Sequence, residues 1–444
     1  MTVLPLRWVG VFSVAGLICP LVAPAANAEP PPCDDLNWVG AWEAAPSDAS
    51  QGADSVERRI LDRYDLSQNP KPLIHNDTVR AILTPTLGGS TTRVRLSNRF
   101  GTAPVTFTHS TIAHRAAAAA LVPDTTELTF GGRQAVTAAP GQDVVSDPAQ
   151  LSFDAFEPLA VSMYVAGDIG LPTEHYAARQ TSYLTPEGTG DHTTDVDGVA
   201  FTQRTTARPF VEGIEVQAPR STGAVVTLGD SITDGYQATP TGMPEAVEGI
   251  DVDGRWPDNL ARRLLAGNRR LAVLNAGISG NRVMLDATVG GHPDVYGPAA
   301  IHRLDTDVLN QPGVTTVLLL EGINDLIMSP SAAPDELVGG YRQLIDRAHA
   351  RGLRVLQGTI TPIGGMAGAT PDGEAKRQTV NAWTRTQSPA DGVIDFDAAV
   401  RDPADPSRIN PAYDGSDHLH FNLAGYQAMG AAVPIEQLLD PVCS

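Results

Sequence analysis

The chain has 444 residues, a formal net charge of −20 at pH 7 and 42% hydrophobic residues. This length is sufficient for two domains that each have a hydrophobic core. The excess of acidic residues argues against nucleic acids and anionic membrane surfaces as partners, because both would repel a negatively charged protein. The composition leaves the oligomeric state undetermined.

Residues 1–28 have the pattern of a secretory signal peptide. A positive start at Arg7 is followed by an apolar run over residues 8–22 and by a small-residue cleavage site, Ala26-Asn27-Ala28. Gly16 and Pro20 interrupt the run, so a membrane span is not predicted. A lipid anchor on Cys19 is a minor alternative, because Gly16-Leu17-Ile18 is a poor lead-in for lipidation, and no stable membrane anchor is predicted. The pattern therefore predicts an exported, extracellular protein.

The cysteines also point to an oxidising compartment. Cys19 lies within the predicted signal, so the exported chain retains Cys33 and Cys443, near its opposite ends. An even pair in an exported protein predicts a disulfide, and the ends of a domain often lie close together. Two free thiols in the terminal tails are the alternative. The sequence lacks the C-x-x-C spacing of a zinc site.

Residues 29–220 are predicted to form a β-rich, sandwich-like domain. Polar and apolar residues alternate in several runs, which is typical of strands with one buried face. Turn-forming Gly, Asn and Pro residues separate these runs, as in antiparallel sheets. The clearest runs are Thr92–Leu96, Val105–Thr108 and Leu159–Val165.

Residues 221–444 are predicted to form an α/β domain. Short apolar runs alternate with amphipathic segments, and such strand–helix repeats favour a parallel sheet with helices on both faces. The predicted strands include Val225–Leu228, Leu271–Leu274, Val317–Leu320 and Val355–Leu356. The predicted helices are Trp256–Leu265, Pro334–Arg351 and Asn422–Leu439.

The first of these strands ends in Gly229-Asp230-Ser231. Gly229 permits a sharp turn, and Ser231 then follows the carboxyl end of a strand, where open α/β sheets bind ligands. A serine at this place is a candidate nucleophile if a base reaches it. The alternative is that Ser231 caps a helix. The segment is not a Gly-x-Ser-x-Gly elbow, since Thr233 replaces the second glycine.

Three later polar stretches strengthen the catalytic interpretation. They are Asn275–Asn281, Glu321–Asp325 and Ser416–His420. The first two follow predicted strands, so they are expected at the same edge of the sheet as Ser231. Within the third, His420 is the candidate base, because an unperturbed imidazole has a pKa of about 6.5. Asp417 is suitably spaced to orient that imidazole, and His418 is expected to point elsewhere.

The blocks Gly-Asp-Ser, Ser-Gly-Asn, Gly-Ile-Asn-Asp and Asp-His-Leu-His occur in this order. Together they resemble the signature blocks of the SGNH hydrolases, also called GDSL esterases, over residues 221–444. The preceding region resembles, more loosely, the β-rich N-terminal part of secreted actinobacterial members. Phe421 departs from the pattern, because many relatives have proline there. The resemblance implies an SGNH-type parallel sheet flanked by helices and preceded by the sandwich-like domain.

The resemblance also implies how the site would work. A developing oxyanion needs preorganised donors, and the candidates are the backbone N–H groups of Ser231 and Gly280 and the amide of Asn324. For Asn324, a role as a turn residue is the alternative. With Ser231, His420 and Asp417 as a catalytic triad, the mechanism requires no metal and no cofactor.

The predicted function is a secreted serine esterase that hydrolyses carboxylic esters, with acylated carbohydrates as one substrate class. A lipid-directed esterase or acyltransferase with the same site is one alternative, and a non-catalytic carbohydrate-binding protein is another. All four blocks follow residue 220, so the β-rich region is expected to support the fold or shape the entrance. If it folds, a chain that starts near Ser221 is accordingly expected to keep some activity on a small soluble ester.

Overall fold

The computed structural model describes residues 1, 32–48, 74–170, 172–237, 249–289, 292–293, 296–328 and 333–441. Apart from its first residue, the predicted signal of residues 1–28 lies outside these ranges, and so does Cys443. Export and the Cys33–Cys443 disulfide therefore stay predictions. Within the described ranges, no helix combines the length and the apolar character needed to cross a bilayer.

Strands dominate the described chain up to residue 219. One antiparallel sheet has the order β1-β16-β4-β10, with β9 also paired to β4, and a second has the order β14-β13-β3-β11-β5-β6, with β7 and β8 also paired to β5. A small sheet has the order β15-β12-β2. The strands are β1 (Leu36–Glu43), β2 (Ser47–Asp48), β3 (Ile74–Leu83), β4 (Gly89–Asn98), β5 (Val105–Ala117), β6 (Ala120–Leu121), β7 (Thr126–Glu127), β8 (Val136–Ala138), β9 (Gln142–Val145), β10 (Ala149–Phe153), β11 (Leu159–Gly170), β12 (Thr173–His175), β13 (Ser182–Leu184), β14 (Gln203–Thr205), β15 (Arg208–Pro209) and β16 (Val211–Pro219).

The two larger sheets contribute to one apolar core. Val94 and Val216 of the first sheet and Phe107 and Met163 of the second are fully buried in it. The alternation that the sequence shows follows from this burial, because only one face of each strand meets the core. The three runs predicted as strands lie within β4, β5 and β11.

Strands and helices alternate from residue 223 onward. The strands are β17 (Gly223–Gly229), β18 (Leu271–Gly277), β19 (Thr288–Val289), β20 (His292–Pro293), β21 (Val314–Leu320), β22 (Arg354–Gly358) and β23 (Gly392–Ile394). The α-helices are α1 (Ser231–Asp234), α2 (Trp256–Ala266), α3 (Ala300–Leu304), α4 (Ile323–Met328), α5 (Pro334–His349), α6 (Pro371–Gln387), α7 (Phe396–Val400) and α8 (Leu423–Ala432). A π-helical turn, Asp305–Leu309, follows α3, and a 3-10 turn covers Ile435–Gln437.

The last predicted helix was too long. Asn422 caps α8, with its side chain accepting from the N–H of Gly425, and the helix ends at Ala432. Pro434 explains this end, because proline has no N–H to donate and its ring clashes with the preceding turn. The helices predicted to begin at Trp256 and Pro334 do begin there.

The parallel sheet has the order β18-β17-β21-β22-β23. Its first strand in the chain, β17, therefore lies between β18 and β21, and the chain crosses to opposite sides of β17 to form them. Such a reversal of strand order opens a crevice at the carboxyl ends of the strands, where α/β proteins bind ligands. Ser231 follows β17 at this place.

The N-terminal strands contact the parallel sheet directly. Ala44 forms a parallel bridge with Asn275 of β18. The Thr86 hydroxyl accepts from the N–H of Val273 at 2.9 Å and donates to its carbonyl at 3.0 Å. On the side of β18 that faces away from β17, Val273 and Asn275 are thus paired with the N-terminal part of the chain.

Candidate active site

The turn between β17 and α1 sets the position of Ser231. A side chain at Gly229 would collide with Thr233 and with the carbonyl of Leu320, so the close turn requires glycine. Asp230 caps the helix, accepting from the N–H of Ile232 at 2.9 Å. The alternative in which Ser231 is the cap is therefore wrong. Ser231 is the first helical residue, and its N–H is one that the helix itself cannot satisfy.

Three predicted residues are brought into one hydrogen-bonded series. The Oγ of Ser231 lies 2.8 Å from Nε2 of His420. Nδ1 of the same ring lies 2.6 Å from Oδ2 of Asp417. Because a carboxylate only accepts, Nδ1 carries the proton and Nε2 is left to accept from the serine hydroxyl. Ser231 is 7% exposed and His420 is 9% exposed, so the series is largely shielded from water.

The loop before α8 fixes the carboxylate of this series. Oδ1 of Asp417 accepts from the backbone N–H groups of Leu419 at 3.0 Å and His420 at 2.8 Å. Burial alone would raise the pKa of Asp417, but the hydrogen bonds and the charge of His420 lower it to about 2. Asp417 is therefore ionised at neutral pH. His418 points away, as predicted, with Nδ1 lying 2.5 Å from Asp414.

The other two predicted oxyanion donors follow β18 and β21, the strands on either side of β17. Gly280, in the loop after β18, has a φ of +80°, and a side chain there would collide with the ring of Tyr296. Asn324 is the second residue of α4 and is not in a turn; its amide donates to the carbonyl of Asn281 at 2.9 Å. This bond uses one amide hydrogen and fixes the plane of the other.

Two buried aspartates hold the loops of the site. Oδ2 of Asp325 accepts from the N–H of Val283 at 3.0 Å, which fixes the chain beyond Asn281. Burial raises the pKa of Asp325 to about 6 and that of Asp230 to about 7. Both act through backbone N–H groups, since neither is hydrogen-bonded to Ser231, His420 or Asp417 within the described chain.

Arg303 is a site residue that sequence reasoning missed. It is 3% exposed and donates to the carbonyls of Gly229 at 3.0 Å and Ala276 at 2.6 Å. It also donates to Oδ1 of Asn281 at 2.9 Å. The guanidinium thereby ties together the ends of β17 and β18. No motif marks it, and its charge in the short segment Ala300–Leu304 was the only signal.

Other missed residues surround the imidazole and the nucleophile helix. The ring of Tyr236 lies 4.5 Å from that of His420, between ring centroids. His175, at the end of β12, hydrogen-bonds Asp234 of α1 at 3.0 Å. No sequence pattern placed a residue from before position 221 at this site. Among the described residues, no group of three or more His, Cys, Asp or Glu side chains is arranged to hold a metal ion.

Residues 227–428 match the family described as GDSL-like Lipase/Acylhydrolase. Among solved structures, an aryl esterase of M. smegmatis is similar at 20% identity and a TM-score of 0.40, covering 49% of this chain and 100% of that one. Est24, a carbohydrate acetylesterase of Sinorhizobium meliloti, is similar at 18% identity and a TM-score of 0.38, covering 48% and 98%. A putative lipolytic protein of the G-D-S-L family from Desulfitobacterium hafniense has 18% identity, a TM-score of 0.35 and coverages of 48% and 97%. No curated protein sequence matches the chain.

Proposed function

We propose that this protein, whose residues 227–428 match the family described as GDSL-like Lipase/Acylhydrolase, is a carboxylic ester hydrolase that acts through Ser231, His420 and Asp417 and an acyl-enzyme intermediate. The observation that carries the proposal is the continuous series from the serine hydroxyl through the imidazole to an ionised carboxylate. Export through the signal predicted at residues 1–28 would place the activity outside the cell.

The first half of the reaction acylates the serine. The Oγ of Ser231 attacks the ester carbonyl carbon while its proton passes to Nε2 of His420. Asp417 holds the opposite ring nitrogen and stabilises the imidazolium that forms. The negative charge on the carbonyl oxygen is met by the N–H groups of Ser231 and Gly280 and by the free amide hydrogen of Asn324. The attack produces a tetrahedral intermediate. When this intermediate collapses, the bond between the acyl carbon and the alcohol oxygen breaks, and the alcohol oxygen takes the proton from Nε2 of His420.

The second half returns the enzyme to its starting state. A water molecule gives a proton to Nε2 of His420 and attacks the acyl carbon, and the same three donors stabilise the new oxyanion. Loss of the Ser231 oxygen as leaving group, with the proton from His420, releases the carboxylic acid. If an acceptor alcohol replaces the water, the same steps transfer the acyl group, which is the acyltransferase alternative.

Substituting the nucleophile tests the proposal. Ser231→Ala should leave the fold intact and abolish hydrolysis, because no oxygen remains to attack the ester. The measurement is turnover on a panel of acyl esters from acetyl to long chain, with acylated glycans and glycerolipids included. Ser90→Ala, at an exposed position of β4, is the matched control and should retain full activity. Wild-type turnover in Ser231→Ala on any substrate that the enzyme hydrolyses would show that the assignment is wrong.

A further inference from the structure

His175 is buried with hydrogen-bond acceptors on both sides of its ring. Nδ1 lies 2.7 Å from the carbonyl oxygen of Ala45, and Nε2 lies 3.0 Å from Oδ1 of Asp234. A carbonyl oxygen cannot donate, and an ionised carboxylate cannot donate either. Both ring nitrogens therefore carry protons when Asp234 is ionised, and His175 is then an imidazolium. The side chains of His175 and Asp234 are 6% and 2% exposed.

The second oxygen of Asp234 reaches the loop after β18. Oδ2 accepts from the backbone N–H of Ser279 at 3.1 Å and from its hydroxyl at 2.7 Å. Ser279 directly precedes Gly280, the proposed oxyanion donor. The carboxylate is thus a bridge between an N-terminal strand, the helix that carries Ser231 and the turn that carries Gly280.

The charges around Asp234 favour its ionised form. Burial would raise the pKa of Asp234, but the positive charge and hydrogen bond of His175 lower it, with contributions from Arg179 and Arg255. The described charged groups that face this carboxylate come from two parts of the chain: His175 and Arg179 precede position 221, and Arg255 lies at the start of α2. An ionised Asp234 can accept from Ser279 and His175 at the same time.

We propose that His175 is a positioning residue of the esterase: through Asp234 it holds the Ser279-Gly280 turn in the orientation that presents the Gly280 N–H to the oxyanion. This inference rests on the proposed function. It assigns to the N-terminal strands a part in the reaction, which His175 exerts through Asp234. Gly280 adopts a left-handed φ of +80°, so the direction of its N–H depends on what anchors the residue before it.

Breaking the bridge should act on the transition state more than on binding of the ester. A displacement of about 1 Å in a catalytic group can lower the rate by about 10²-fold. We therefore expect His175→Ala and Asp234→Ala to lower kcat by about ten- to a hundredfold, with KM changed less than about twofold. Affinity for a trifluoromethyl ketone, which forms an oxyanion on the enzyme, should fall in parallel with kcat/KM.

Asp234→Asn is the conservative variant. Its amide oxygen can still accept from Ser279, and its NH₂ can donate to Nε2 of a neutral His175, whose Nδ1–H still meets Ala45. This variant should keep clearly more activity than Asp234→Ala. His109→Ala is the matched control: His109 lies on β5 in the N-terminal part of the chain and also pairs with a carboxylate, with Nδ1 lying 2.6 Å from Asp191. It should lower thermal stability and leave kcat unchanged.

A purely structural role makes different predictions for the same measurements. His175→Ala would then behave like His109→Ala, with a lower melting temperature, normal kcat for the folded protein and undiminished affinity for the ketone. That result would overturn the proposal. If His175→Ala does not fold, Asp234→Ala and Ser279→Ala decide, and normal kcat in both would also overturn it. Failure of the proposed function would appear separately, as wild-type protein without esterase activity or Ser231→Ala with activity.

Discussion

Asn324 has two hydrogen-bonding tasks that affect different measurements, one thermal stability and the other kcat. One amide hydrogen holds the carbonyl of Asn281, and the other is oriented toward the developing oxyanion in the proposed mechanism. The first task stabilises the fold in the substrate-free enzyme as well as during the reaction. The second gains strength only as the carbonyl oxygen of the substrate becomes charged.

Asn324→Ala should therefore lower kcat by about 10²–10³, equivalent to roughly 2.7–4 kcal/mol, and change KM little. The lost bond to Asn281 should also lower the melting temperature modestly. Both quantities are to be measured on one preparation by steady-state kinetics and thermal unfolding. A destabilised Asn324→Ala protein with near-normal kcat would leave Ser231 and Gly280 as the only proposed donors.

The three residues of the hydrogen-bonded series were predicted from the sequence, and the residues that support them were not. Ser231 follows a recognisable buried strand, and Asp417 and His420 lie within three residues of each other. Arg303 and His175 instead meet backbone carbonyls that are 74 and 130 positions away in the chain. A backbone carbonyl is chemically the same at every position, so nothing in the local pattern identifies such a partner.

At the scale of elements, periodicity predicted the existence of strands and helices better than their pairing. The runs that include Val225, Leu271 and Val317 are strands, as expected from their apolar and β-branched residues. Their order in the sheet depends on contacts between segments far apart in the chain, which a local pattern does not contain. The contacts of Ala44 and Thr86 with the edge of β18 were unforeseen for the same reason.

The contact between the N-terminal part of the chain and the parallel sheet changes the expectation for a chain that begins at Ser221. Val39, Ala45 and Ala218 from the N-terminal part are buried in the same apolar cluster as the parallel sheet. Without them, apolar surface and the outer backbone groups of β18 would be exposed, which favours aggregation. Asp234 would also lose the positive charge of His175 inside a buried site.

We therefore predict that a fragment of residues 221–444 is aggregated or inactive, whereas residues 29–444 are monodisperse and active. Coexpression of residues 29–220 should restore part of the activity, because the two parts would bury the same surface without a covalent link. Size-exclusion chromatography and turnover of a small soluble ester measure both properties. A monodisperse, fully active 221–444 fragment would contradict this expectation and favour the simpler one drawn from motif positions.

At the scale of the whole molecule, acidic residues are found in the buried interior as well as on the surface. Several buried carboxyl groups have raised pKa values, each with burial as the largest cause. The pKa is raised to about 6 for Asp77, Asp258 and Asp325 and to about 7 for Glu212 and Asp230. In an unfolded chain, carboxyl side chains have pKa values of about 4. Between about pH 4 and about pH 7, the folded protein therefore binds more protons than the unfolded chain.

The sign of the pH dependence follows from this uptake. A carboxyl whose pKa is raised on folding contributes stability that is fully present below its unfolded pKa and is lost as the pH rises through its folded pKa. Asp417 has the opposite sign: its stabilising contribution is present above about pH 4 and is lost as the pH falls toward its folded pKa of about 2. The carboxyl groups with raised pKa values and Asp417 together make the folded protein most stable at mildly acidic pH.

We predict a higher melting temperature at about pH 5.5 than at about pH 8, followed by a decline below about pH 4. Lower repulsion between surface charges acts in the same direction, since the chain carries a formal charge of −20 at pH 7. Glu212→Gln separates the two causes, because it removes one buried titration while changing the formal charge by one unit. Its melting temperature should rise less than that of the wild type between about pH 8 and about pH 5.5. Glu436→Gln, at an exposed position, makes the same change of charge without removing a buried group and should keep the wild-type dependence. If the melting temperature rose equally in both variants between about pH 8 and about pH 5.5, surface charge alone would explain the pH dependence.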